Sequence, residues 1–124
     1  MVSDILERHM RENNKMKHSE LTRKVIKLMA ENNEQLLTQF NAATIVEEND
    51  EVGYYVNFSF SNKNELPLLS SKLPSIIGKN ADGKIIVGFV LFLKDGYIDC
   101  FEGYTFGNEL WPENDDNISL EIAN

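Results

Sequence analysis

Apolar positions recur at helical spacing over residues 20–40, where Leu21, Val25, Leu28, Met29, Leu36 and Phe40 fall on one broad stripe. This predicts an amphipathic helix with Ser19 as its N-cap, weakened in the middle by Asn32 and Asn33. An earlier helix is predicted over residues 3–13, capped by Ser3, with Ile5, Leu6, His9 and Met10 near one face. No Gly or Pro separates the two segments, so they can fuse into one. Past Phe40 the period drops to two. Residues 43–47 are short and β-branched, "EENDE" is turn-like, and residues 52–60 alternate. Tyr54, Val56, Phe58 and Phe60 lie on one face of that strand, with Tyr55, Asn57 and Ser59 on the other. The pair reads as a hairpin.

Residues 61–83 form the irregular part, because Pro67 and Pro74 forbid a regular central strand. Leu66, Leu68, Leu69, Leu73, Ile76 and Ile77 nonetheless need burial, and a loop of this length is often functional or partly helical. "KIIVGFVLFL", residues 84–93, is apolar on both faces and predicts a central strand covered on both sides. Asp95-Gly96 suits the two positive-φ positions of a type I′ turn, so residues 97–102 should run back as its partner. The predicted fold class is α+β: N-terminal helices packed on a mainly antiparallel β-sheet. Residues 1–124 read as a single domain, with a helical part over 1–40 and a β-rich part over 41–124.

Charge changes this picture more than composition does. Twelve Lys/Arg against twenty Asp/Glu give a net charge of −8, which disfavours nucleic acid and favours basic partners. Residues 1–40 nearly balance, with seven basic and six acidic side chains. After Lys94 no cation remains, while Asp95, Asp99, Glu102, Glu109, Glu113, Asp115, Asp116 and Glu121 follow. Such a stretch is either a solvated acidic surface or a docking face for a cationic protein. The opening "MVSDILERHMRENNK" is charged throughout, so no signal peptide is expected, and no apolar run is long enough to span a membrane. The single cysteine, Cys100, fits a reducing cytoplasm, the expected location.

No motif points to catalysis, a metal or a cofactor. Cys100 has Asp99 and Glu102 beside it, which should raise its pKa rather than yield a thiolate. His9 and His18 lie nine apart, off the i, i+4 spacing of a helical zinc pair, and read as ordinary helix residues. Glu102, Glu109 and Glu113 lack any demonstrable paired geometry, "NDDN" lacks the rest of a calcium loop, and no glycine loop matches a phosphate cradle. The segment "FEGYTFGNELWPE", residues 101–113, stands out. Gly103 and Gly107 should turn the chain, folding Tyr104, Phe106 and Trp111 back as a corner over the open end of the sheet. Aromatics ringed by acids equally suit an interface. The residues expected to meet a partner are Asp99, Glu102, Tyr104, Glu109, Trp111 and Glu113.

From Gly53-Tyr54-Tyr55 through Gly88-Phe89-Val90-Leu91-Phe92, Asp95-Gly96, Glu102-Gly103-Tyr104, Gly107, Glu109 and Trp111-Pro112, the chain resembles a family of small bacterial proteins. That family's pattern is GFxLFxxDGxxxxxEGYxxGxExWP. The resemblance spans about sixty residues, is most specific in the last thirty and does not reach the N-terminal helices. Some members resemble immunity proteins of contact-dependent or polymorphic toxin systems. The resemblance implies a stand-alone cytoplasmic protein that binds a cognate toxin domain, and it supplies no catalytic residues. Many such toxins are nucleases with basic substrate surfaces, which an acidic inhibitor complements. The alternative is a non-enzymatic module that binds a small ligand or another protein.

Overall fold

The computed structural model describes residues 16–70 and 72–123. The helix expected over residues 3–13, with His9, lies outside them. Among the described residues two helices precede a six-stranded antiparallel sheet, an α+β fold.

Helix α1, Ser19–Met29, buries Leu21, Thr22, Val25, Ile26 and Met29. Its N-cap position is His18 rather than Ser19, and no side chain caps it. The single helix expected over residues 20–40 is instead two. Helix α2, Glu34–Ala42, begins at Asn33, whose side chain accepts a hydrogen bond from the Leu36 backbone N–H at 3.2 Å. Asn is a weak helix former and a strong cap, so the Asn pair ends one helix and starts another.

Strands β1, Thr44–Asn49, and β2, Gly53–Ser59, form the first hairpin, in register from Thr44–Ser59 to Asn49–Tyr54. In β2 the expected alternation holds: Tyr54, Val56 and Phe58 are buried while Tyr55, Asn57 and Ser59 are exposed. The irregular stretch over 61–83 contains a strand the sequence reading lacks, β3, Ser75–Lys79, starting directly after Pro74. Strands β4, Ile85–Lys94, and β5, Tyr97–Thr105, meet at Asp95 and Gly96, whose φ angles of 54° and 84° fit the expected tight turn. A last strand, β6, Ser119–Ala123, pairs with β3. The order across the sheet is β1-β2-β5-β4-β3-β6.

One irregularity decides which residues face outward. Pairing shifts from Phe92–Cys100 to Leu93–Ile98, leaving Asp99 as an extra residue in β5. The bulge turns Ile98 and Phe101 into the core although they are three apart, and leaves Cys100 on the opposite face.

The helices pack on one face, where Val25, Ile26, Leu36, Tyr54, Val56, Ile76, Val87, Phe89 and Phe101 are buried. Leu28 packs at the margin of this core. Buried Gln39 ties α2 to the β4–β5 hairpin. Its amide donates to the carbonyls of Pro67 and Gly96 at 2.7 and 3.0 Å and accepts from the Ile98 N–H at 2.8 Å. The expectation that β4 is covered on both sides is not met by the described residues. Phe92 is 49% exposed on the outer face, the face that also carries half-exposed Tyr55 and Val46 on β2 and β1.

Candidate functional site

The segment 101–113 begins as strand. Gly103 lies within β5 opposite Tyr54 and Phe89 and makes no bend, which corrects the expectation of a turn there. Its missing side chain is filled by its neighbours, since a Cβ would sit 2.6 Å from the Tyr54 ring and 3.2 Å from that of Trp111. The reversal comes at Gly107 and Asn108, with φ of 67° and 59°. The returning chain is held to the β1–β2 turn by the Trp111 N–H on the Glu51 carbonyl, 2.9 Å. The indole then turns inward, edge-on to Tyr54 at 5.4 Å and to Phe89 at 6.1 Å between centroids. Its N–H is buried and meets no acceptor among the described residues.

Beside the indole lies a polar cluster that sequence reasoning missed. His18 stacks on Tyr54 at 4.3 Å, and its Nδ1 lies 2.7 Å from Asp115 Oδ2. The His18 backbone N–H donates to both oxygens of Glu47 at 3.1 Å, and the Asn49 amide donates to Glu47 Oε2 at 3.1 Å. Thr22 Oγ1 and the Tyr54 hydroxyl are 2.9 Å apart. Burial pushes the Glu47 carboxyl up, opposed by the bonds from Asn49 and His18, and burial also pushes the Tyr54 phenol well above its usual range. The cavity beside this group, bounded by Thr22, Phe40, Ile45 and Glu47, is about 40 Å³, room for no more than a water or two. The cluster fastens α1, β1, β2 and the C-terminal segment together.

The outer sheet face is different in character. Cross-strand partners share a face, so the register lays its side chains in rows. One runs Glu48, Tyr55, Glu102, Val90, and the next runs Val46, Asn57, Cys100, Phe92. Tyr104 lies across Gly88, its ring 2.5 Å from where a Cβ would stand. The Cys100 thiol is pushed up by partial burial, then by Asp99, Glu102 and Glu48, the direction its acidic neighbours predict. Glu102 pushes the exposed Tyr55 phenol up as well.

The structure therefore divides the six expected partner residues. Glu102 and Tyr104 share the outer face, and Asp99 is the bulge residue. Glu109 and Glu113 are exposed on the loop after β5, while Trp111 points into the core margin. Glu109 lines a groove of about 150 Å³ with Ile85, Phe106, Leu110 and Pro112. Tyr55, Glu48, Val46 and Phe92 extend the outer face and were not expected there, although the alternation of β2 already set Tyr55 opposite the core residues. Among the described residues no group of His, Cys, Asp and Glu is placed to hold a metal ion, and no helix is long and apolar enough to cross a membrane.

The chain matches no known family model, no curated protein and no solved structure.

Proposed function

We propose that the chain is an immunity-type protein that binds and neutralises a cognate bacterial toxin domain, with nucleases one candidate class, through its acidic C-terminal surface. The observation that carries this reading is the mixed aromatic and acidic outer sheet face. Tyr55 and Phe92 stand exposed among Glu48, Cys100 and Glu102, and β1, β2 and β5 hold no Lys or Arg. Exposed aromatics supply contact area at low entropic cost, and carboxylates steer a cationic partner and exclude acidic ones. Glu109 and Glu113 extend the same sign of charge along the following loop.

The test is binding to the toxin-like product of a neighbouring gene. A cationic toxin domain should associate fast at low salt, with a rate that falls steeply as ionic strength rises. Absence of binding by the folded protein overturns the reading.

A further inference from the structure

We propose that Tyr55, set between Glu48 and Glu102, is a seat for an arginine side chain presented by a cationic protein partner. This rests on the outer sheet face being the partner surface. Glu48 pairs with Tyr55 across β1 and β2, and Tyr55 pairs with Glu102 across β2 and β5. The three side chains share a face, with the ring in the centre and a carboxylate on each flank. Adjacent strands lie roughly 4.8 Å apart, so the two acids straddle the ring at about 10 Å.

Three features select the occupant. First, Tyr55 is 41% exposed, so its ring is reachable. Second, among the described residues neither Glu48 nor Glu102 forms an ion pair with a Lys or Arg side chain, whereas Lys79 pairs with Glu121. Third, the next row offers exposed Val46 and Phe92 for the apolar stem or neighbour of an incoming residue. A guanidinium is planar, stacks on an aromatic face and presents N–H groups along its edges to carboxylates on either side. An ammonium is compact and strongly hydrated, and it fits this arrangement less well. The raised phenol of Tyr55, pushed first by Glu102, marks the ring as lying in negative potential.

The experiment titrates the protein with acetyl-Leu-Arg-Leu-amide and, separately, acetyl-Leu-Lys-Leu-amide, followed by NMR. Shifts should concentrate on Tyr55, Glu48, Glu102 and Phe92, and the arginine peptide should bind more tightly than the lysine one. Tyr55→Leu, and separately the pair Glu48→Gln with Glu102→Gln, should each weaken the arginine peptide by about tenfold, with unchanged thermal melts confirming the fold. Shifts centred on Glu109 and Glu113, equal binding of both peptides, or indifference to Tyr55→Leu overturns the seat. Repeating the series with the neighbouring toxin domain separates the two proposals. A toxin domain that binds wild type and variants alike removes the seat and leaves the immunity reading standing. Peptide binding at Tyr55 without toxin binding removes the immunity reading and leaves the seat.

Discussion

His18 Nδ1 lies 2.7 Å from Asp115 Oδ2, joining residues 97 apart in sequence. The contact pins the segment after Trp111 to the start of α1, with His18 buried and Asp115 partly so. Asp115→Ala removes the partner of a buried ring nitrogen. Urea melts should show a loss of about 1–3 kcal/mol, with Asp115→Asn intermediate because it keeps an acceptor. A loss under about 0.5 kcal/mol, the size of an ordinary surface change, would show that the contact does not hold the segment.

Glu47 makes stability depend on pH. Its folded pKa is raised above the ordinary 4.5 by burial, so the folded state holds a proton more tightly than the unfolded chain. The stabilisation from this site is full below the ordinary value and is lost as pH rises through the raised one. Glu47→Gln mimics the protonated form and keeps an acceptor for the His18 N–H. Relative to wild type it should gain stability between acid and neutral pH, measured as a widening gap in denaturation midpoints. A gap that stays constant or narrows as pH rises would count against the buried carboxylate.

Gln39→Leu tests the tie between α2 and the hairpin. It leaves the Ile98 N–H and the Pro67 carbonyl without the partners they have now. Stripping the buried Ile98 N–H and the part-buried Pro67 carbonyl should cost about 1–3 kcal/mol in chemical denaturation. A near-neutral result would mean that water replaces the amide.

How much of this was legible beforehand follows from whether the signal is local. The Asp95-Gly96 turn and the alternation of Tyr54 to Ser59 are written in adjacent residues, and both appear as expected. Asn33 reads in the sequence only as a weak spot within one helix, whereas in the structure its side chain caps a second. Strands β3 and β6 have only five residues each, and Pro74 next to β3 argued against a regular central strand there. They form because each has a neighbour to pair with, which no short window reveals. The same holds for the site. Asp99 and Cys100 fall where they do because of a bulge against Leu93, and Glu47 is buried because His18 and Asn49 meet it. Of the segment 101–113, sequence indicated unusual chemistry but not which ring turns inward.

Gly103→Ala should report that inward ring. The new methyl would press on Tyr54 and Trp111, costing about 1–3 kcal/mol as an overpacked position. Trp111 is the sole tryptophan, so its fluorescence should shift red as the indole is displaced. An unchanged spectrum together with unchanged stability would contradict the packing described for the pair.

Cys100→Ser should leave partner binding unchanged. The thiol is partly exposed on the outer face and held in the neutral form by burial and by Asp99, Glu102 and Glu48. A serine is close to it in size, and at this partly exposed position its more polar hydroxyl can bond to water. Loss of binding in a well-folded variant would assign Cys100 a direct part in recognition or chemistry.

The two halves of the expected partner surface should separate by kinetics. Glu102→Lys reverses charge in the row that carries Tyr55, whereas Glu113→Lys does so on the exposed loop beyond Pro112. Against a cationic toxin domain both should slow association at low salt, because long-range steering counts charge rather than contact, and both effects should fade as salt screens them. Only Glu102→Lys should also speed dissociation, since it removes a carboxylate beside the proposed arginine seat. Trp111→Ala should act through the fold instead. The indole packs against His18, Tyr54 and Phe89, so its removal should lower stability by about 3–5 kcal/mol, the range for truncating a packed aromatic. Binding measured well below the variant's melting point should then be nearly unimpaired. Should Trp111→Ala remain as stable as wild type and lose the partner, the indole is the anchor and the inward packing is secondary. Equal effects of Glu102→Lys and Glu113→Lys on dissociation would move the contact off the sheet face and onto the loop.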